Sequence, residues 1–411
     1  MIIPSIDIMS GKAVQLKQGK EFVLESDRSP LELACEFNRY GEVAVIDLDA
    51  ALGKGDNRSL IKQICRVADV RVGGGIREVE IGREYLKAGA KRLIIGTKAT
   101  PEFLQNFTPQ EILVALDHMG EIVVDQGWDH STSETIWARA ERVSSYCSGF
   151  LVTYVESEGT LSGMNLDAIQ NLKSRLLGQL TVAGGIASVQ QIVQISRLGI
   201  DVQVGMALYT GKIDLAESVS QALTFNDSGL IPTIVQDEWG QVLMMAYSSR
   251  ISLARALKEG KGIYFSRSRN EIWEKGLTSG HVQTLISCRV DCDRDCLLFT
   301  VRQSGAACHN DTYSCFGSAT SDRKFKLSAL FDTIRSRKES MKVGSYTTSL
   351  LSDRRLLLKK IMEEAFEVVS FTDSDNLRWE IADLVYFLSV LAADEGIDWK
   401  EIESELAGRR R

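Results

Sequence analysis

The sequence predicts three folded units in series: a (β/α)8 TIM barrel over 1–223, a small α+β metal-binding unit over 225–317, and an all-α helical unit over 327–411. Three observations predict this. In the first half, eight apolar β-type runs alternate with helical patterns. Segments of that half recur at an offset of about 110 residues, as internal repeats do. Beyond it, a stretch crowded with cysteine and aspartate precedes one with helical periodicity alone.

The totals set bounds. The 411 residues allow two or three domains, each with a core of its own. A net charge of −7 argues against a general nucleic-acid binder. No apolar run approaches membrane-spanning length. The opening "MIIPSIDIMSGK" lacks the basic start and cleavage site of a signal peptide and reads as a buried strand. Eight cysteines in such a chain do not suggest a disulfide scaffold, and five of them fall between Cys288 and Cys315. A reduced, cytoplasmic protein with one metal-rich segment is the simplest expectation.

The eight β-type runs are "IIPSID", "VAVIDLD", "VRVGGG", "RLIIGT", "ILVALD", "FLVTYV", "LTVAGG" and "VQVGMA". A doubly wound open sheet is the alternative arrangement of such units, and the repeat decides for the barrel. "VGGGI" at 72–76 matches "VAGGI" at 182–186, and "IDIMSGKAVQL" from Ile6 matches "LDHMGEIVVDQ" from Leu116. Asp7 and Asp117 then occupy equivalent strand ends, on the face where barrel enzymes carry their active sites. Each half has a Gly-rich turn, with Gly74 and Gly75 in one and Gly184 and Gly185 in the other. Gly96–Thr97 and Gly205 end the following strands. Glycine lets backbone N–H groups approach an anion. Two phosphate cradles and two opposed carboxyl groups suit acid–base chemistry on a substrate with a phosphate at each end.

"MIIPSIDIMSGKAVQL", "VGGGI", "VALD", "GW" and "EGTLSGMN" together resemble phosphoribosylformimino-AICAR-phosphate isomerase of histidine biosynthesis, over about 1–223. The resemblance implies a cofactor-free aldose-to-ketose isomerisation. Asp7 falls on the general base, Asp117 on the general acid, and Thr153 on a threonine that assists near the sugar. Gln15 stands where the family has Arg, His118–Gly120 replaces an Arg-bearing motif, and Glu158–Thr160 reads "EGT" in place of "DGT".

After the polar connection "TFNDSG" come five strand patterns and one helix over 249–259. In an extended "VDCDRDC", Asp291, Asp293 and Asp295 share one face, a hard-oxygen set suited to Mg²⁺, while Cys292 points the other way. Cys292, Cys308 and Cys315 describe an open zinc site that keeps a water, and a closed four-cysteine knuckle using Cys288 or Cys296 is the alternative. "SRSR" offers Arg267 and Arg269 to phosphate. "GLIPTIVQD", "SRSRNEIWEKG", "TSGHVQ", "DCDRD" and "ACHNDTYSCF" resemble phosphoribosyl-AMP cyclohydrolase over 225–317. That resemblance implies hydrolytic opening of the adenine ring between N1 and C6, with zinc activating the water. It puts Cys292, Cys308 and Cys315 on zinc and the three aspartates on magnesium, makes His309 and His281 candidate proton shuttles, and implies a homodimer, because the zinc ligands come from two chains.

The last segment reads as four amphipathic helices. Glu363, Glu364 and Glu367 in "EEAFE", with Glu380 and Asp383 in "EIAD", lie at i, i+3 and i, i+4 spacings near the apolar stripe. Two packed helices could hold Mg²⁺ between them. A solvated acidic face is the plainer alternative. "GSYTTSL", "KIMEEAFEVV" and "EIADLVYF" resemble phosphoribosyl-ATP pyrophosphohydrolase over 327–411. The implied reaction is Mg²⁺-assisted release of pyrophosphate, with Lys359 and Lys360 as phosphate contacts.

The three resemblances fall on consecutive reactions. They imply a trifunctional enzyme acting on phosphoribosyl nucleotides, with no nucleic-acid or membrane partner. The alternative keeps both hydrolytic units active and makes the barrel a scaffold.

Overall fold

The computed structural model describes residues 1–125, 127–128, 130–317, 327–341 and 344–408. The chain forms two compact units, Met1–Asp322 and Arg323–Arg411.

In the first unit, eight parallel strands close a barrel: β1 (Ile2–Met9), β4 (Val43–Asp47), β5 (Val70–Gly73), β6 (Arg92–Ile95), β7 (Ile112–Met119), β10 (Gly149–Tyr154), β11 (Gln179–Ala183) and β12 (Asp201–Val204). Pairing of β10 with β7 and of β12 with β1 completes the ring. These are the eight runs that the sequence predicts. Each half opens with an antiparallel addition: β2 (Lys12–Lys17) and β3 (Glu21–Glu25) follow β1, and β8 (Ile122–Asp125) and β9 (His130–Thr135) follow β7. The sequence repeat is thus a structural one.

Side chains fill the barrel, as they do in closed parallel barrels of this size. Ile94, Leu113, Ala115, Leu151 and Ala183 pack in one inner layer. Beneath it the fully buried Arg71 donates to the Thr181 hydroxyl at 3.0 Å and pairs with Glu42. Arg71 and Thr181 are repeat-equivalent positions, so one half supplies the donor and the other the acceptor.

The rest of the first unit is a six-stranded sheet ordered β16-β15-β14-β13-β18-β17: β13 (Leu230–Asp237), β14 (Val242–Ser249), β15 (Ile263–Ser266), β16 (Glu271–Glu274), β17 (Gln283–Val290) and β18 (Leu297–Gln303). The helix Arg250–Glu259 follows β14 and is capped by Ser249. The sheet docks on the barrel through polar contacts. Cys288 N–H donates to the Arg39 carbonyl at 2.9 Å, and Arg289 reaches Asn38 Oδ1 at 2.9 Å and Asp69 Oδ2 at 2.6 Å. Asn38, Arg39 and Asp69 precede β4 and β5, so β17 meets the N-terminal face of the barrel. The connection 224–229 is tied down: Thr224 N–H donates to the Arg294 carbonyl at 2.9 Å, and Asn226 caps its own turn.

Among its described residues the second unit holds five helices, Leu327–Ser340, Tyr346–Ser352, Arg354–Val369, Ser374–Glu395 and Trp399–Gly408, one short helix more than the sequence predicts. The third and fourth are joined by four residues and so run antiparallel. They pack around Phe331, Ile334, Leu350, Leu357, Phe387 and Val390.

Candidate active sites

The mouth of the barrel, at the C-terminal strand ends, is a single pocket. Asp7, Asp117 and Thr153 line it, as do Gly74, Gly75, Gly96, Thr97, Gly184, Gly185 and Gly205. Every residue that the sequence assigns to the barrel site therefore meets the same space. The glycines are there for packing as well as for access. At Gly74 (φ +92°) a Cβ would lie 2.2 Å from the Asp47 carbonyl oxygen, and at Gly184 (φ +95°) 2.7 Å from that of Tyr154.

The two aspartates share a backbone setting but not their neighbours. Ser5 Oγ donates to Asp7 Oδ1 at 2.8 Å, and burial pushes the Asp7 carboxyl up to about 6. Asp117 stands beside Thr153 in register and accepts from Trp128 Nε1 at 2.8 Å. Burial raises its pKa also, opposed by the Thr153 and Trp128 hydrogen bonds. Glu158 enters the same pocket. Burial, with the nearby charges of Asp7 and Asp117, pushes it up to about 8.

The departures are visible in the fold. Gln15 is buried, donates to the Val14 carbonyl at 2.9 Å and fills the space over Gly205. His118 turns from the pocket to the Gly120 carbonyl and the Tyr154 ring. The sequence reading missed Trp128 as a partner of Asp117. Its "GW" was visible, but its φ of +69° and its reach to β7 were not. Arg77 was missed as well: it lines the pocket and is fixed on the Ala50 and Ala51 carbonyls at 2.8 Å.

In the six-stranded sheet the expected extended strand is corrected. β17 ends at Val290, and 291–296 form a loop to β18, with Arg294 at φ +67°. The pleat stops because Asp291 Oδ1 accepts the N–H groups of Asp295 and Cys296, both at 3.1 Å. Alternation along a strand is therefore not what gathers Asp291, Asp293 and Asp295. The loop curls them together, all within 4.8 Å of one another and exposed. Asp295 titrates high, chiefly through the Asp293 charge.

Among the described residues the three thiols do not form a cluster. Cys308 and Cys315 interact with each other. Cys292 precedes β18 by five residues and Cys308 follows it by five, and a seven-residue strand spans roughly 20 Å. One chain therefore brings two of the three thiols together. His309 Nδ1 lies 3.9 Å from Cys308 Sγ, and the His281 ring packs on Gly305. Arg267 stacks on Tyr247, and Arg269 pairs with Glu271. Lys275, which the sequence reading passed over, is buried beside both thiols. Burial lowers its pKa against the Cys315 and Cys308 charges.

In the helical unit, Glu364, Glu367 and Glu380 converge within 4.8 Å across the antiparallel pair. Glu364 and Glu380 are buried, and Glu367 titrates high through its hydrogen bond to Glu380. Of the five carboxylates expected, these three gather. Glu363 pairs with Lys360 at 2.9 Å and Lys359 at 3.3 Å, Lys360 also reaches Glu364 at 3.4 Å, and Asp383 lies outside the cluster. Among the described residues of both units, no helix is long and apolar enough to cross a membrane.

Comparison with known proteins follows this division. Residues 1–214 match a family of histidine biosynthesis proteins, 244–317 match phosphoribosyl-AMP cyclohydrolase, and 327–410 match phosphoribosyl-ATP pyrophosphohydrolase. The chain is 41% identical over 215 residues to the histidine biosynthesis bifunctional protein HisIE of Parasynechococcus marenigrum, covering 48% of this chain and 96% of that one. It is 43% identical over 202 residues to the bifunctional protein his7 of Schizosaccharomyces pombe, covering 49% and 47%. It is 34% identical over 261 residues to the trifunctional protein of Kluyveromyces lactis, covering 63% and 32%. The chain thus spans about half and about a third of the two fungal proteins.

Proposed function

The chain belongs to the histidine biosynthesis protein family, and from that premise we propose that it catalyses three consecutive steps. The helical unit (327–411) hydrolyses phosphoribosyl-ATP to phosphoribosyl-AMP and pyrophosphate. The sheet (225–317) opens the adenine ring. The barrel (1–223) isomerises the resulting aminoaldose to the aminoketose. The observation that carries the barrel assignment is the meeting of Asp7, Asp117, Thr153 and the four glycine turns in one pocket.

In the barrel, Asp117 gives a proton to the furanose ring oxygen, opening the sugar to an iminium. Asp7, ionised at neutral pH with a pKa of about 6, takes the proton from the adjacent carbon. Tautomerisation of the enolamine gives the ketose, and no atom is gained or lost. The glycine turns hold the two phosphates, and Thr153 and Trp128 keep Asp117 in position.

The metal sites fit their residues. The aspartate loop offers three hard-oxygen ligands, and among the described residues none of them is in an ion pair. The Glu364–Glu367–Glu380 cluster offers three more. Both suit magnesium, which when bound screens phosphate charge and orients water. Zinc, when bound by Cys308 and Cys315 with Cys292 from a second chain, lowers the pKa of a water toward neutrality. His309 and His281 carry protons, Arg267 and Arg269 hold the substrate phosphate, and Lys359 and Lys360 contact the triphosphate. The separation of Cys292 from Cys308 supports a homodimer, and the eight free thiols support a reducing, cytoplasmic location.

The test is a mass-spectrometric time course of the protein with phosphoribosyl-ATP, Mg²⁺ and Zn²⁺, with the aldose and ketose separated by chromatography. Accumulation of ketose is expected, along with its loss in Asp7→Asn. A reaction that halts at the aldose would make the barrel a scaffold.

A further inference from the structure

The loop that carries Asp291, Asp293 and Asp295 is not built by the six-stranded sheet alone. Three carboxylates within 4.8 Å repel one another, and the only cationic side chain inside the loop, Arg294, forms no ion pair with them among the described residues. Its guanidinium instead donates to the Ser196 carbonyl, in the last turn of the barrel helix Val189–Arg197, where the helix dipole favours a cation. Its own carbonyl accepts the N–H of Thr224, where the barrel ends, at 2.9 Å. Arg294 is thus held at both ends while at φ +67°, a conformation that costs a non-glycine residue free energy and persists only where its surroundings impose it. One turn of chain earlier, Arg289 is bound to Asn38 and Asp69 on the same barrel face.

We propose that Arg294 is a positioning residue for the divalent cation of the ring-opening unit, and that the barrel, through the Ser196 carbonyl, serves as the platform that shapes that site. The inference rests on the reading of the aspartate loop as a magnesium site. Anchoring Arg294 on the barrel does two things. It withdraws a positive charge that would otherwise neutralise the aspartates, and it fixes the backbone turn on which all three gather. Both effects favour an incoming divalent cation over an internal ion pair.

The test is a titration of the full chain with Mn²⁺ alone, following free Mn²⁺ by electron paramagnetic resonance. Asp293→Asn identifies the binding class that belongs to the loop. Arg294→Ala should weaken that class by about 10- to 100-fold, the usual effect of removing a group that orients metal ligands. Arg294→Lys, which keeps a cationic donor for the Ser196 carbonyl, should recover most of it. Hydrogen exchange supplies a second measurement if Arg294→Ala is poorly stable. The Asp295 and Cys296 amides should exchange faster in the variant, with β18 unchanged. Parental Mn²⁺ binding in Arg294→Ala, with the class lost in Asp293→Asn, overturns the positioning role and leaves the magnesium reading standing. No change in Asp293→Asn overturns both.

Discussion

Asp7→Asn should make the barrel more stable at neutral pH while it abolishes isomerisation. Burial raises the Asp7 carboxyl from an ordinary 3.8 to about 6. The sign is opposite to that of a salt-bridged aspartate. Below the unfolded pKa, near 3.8, the group is protonated in both states and has no effect. Between 3.8 and about 6 the unfolded chain loses its proton first, and folding is increasingly penalised. Above about 6 the penalty is complete: some two pH units at about 1.4 kcal/mol each, or ~3 kcal/mol. An asparagine carries no such penalty. Hydrogen exchange of the β1 amides, read by mass spectrometry from pH 4 to 8, isolates the barrel from the other units. Protection in Asp7→Asn should match the parent near pH 4 and exceed it increasingly up to about pH 7. The Ser5 hydrogen bond survives in altered form, and Glu158, which the Asp7 charge helps to raise, is relieved as well, so the measured gain should be ~3 kcal/mol or somewhat more. A gain that does not vary with pH, or none, would show that Asp7 is not desolvated in the pocket, and the assignment of its basicity would fall.

Other outcomes follow from the same structure. Trp128→Phe removes the N–H that Asp117 accepts, a hydrogen bond to a charged group worth about 1.5–3 kcal/mol, so isomerase kcat should fall by roughly tenfold or more and its Asp117-dependent pH limb should move upward. Arg289→Ala should lower the unfolding free energy of the first unit by up to ~1 kcal/mol, given the half-exposed Asp69. Burial raises the Asp69 carboxyl, but Arg289 and Lys91 together hold it below its ordinary range, so this difference should be largest at neutral pH and shrink in acid as Asp69 protonates, leaving the part that the hydrogen bonds to Asn38 contribute. Glu380→Gln should raise the Mg²⁺ needed for pyrophosphate release by about tenfold or more, whereas Glu363→Gln should change it little. Cys292→Ser and Cys315→Ser should each lose ring opening, and mixing the two after dissociation should restore about a quarter of it, since half the dimers are then mixed and each has one intact site. No recovery on mixing would count against zinc ligands drawn from two chains.

How far the sequence speaks depends on the range of each interaction. The barrel was legible because burial imposes period and repeat locally, and Asp7 and Asp117 were legible because duplication placed them at matching strand ends. The aspartate loop shows a correct grouping reached through the wrong geometry. Nothing in "DCDRD" marks Arg294 for positive φ, because its cause is Ser196 and Thr224, distant in sequence. The glutamates show a competition that spacing cannot resolve: Lys360 reaches both Glu363 and Glu364, but only Glu364 is buried and gathers with Glu367 and Glu380. Trp128, Glu158 and Lys275 owe their placing to contacts across the fold, and the sequence reading found no role for them.

The floor of the barrel bears on how the reactions follow one another. Arg71, Thr181 and Glu42, with the aliphatic layer above them, separate the face on which β17 rests from the mouth that holds Asp7 and Asp117. Among the described residues, no passage through the barrel axis is left for a metabolite carrying two phosphates. The aldose therefore cannot reach the pocket along the barrel axis. Fusing the sheet to the barrel fixes their ratio at one to one, but it opens no route along the barrel axis.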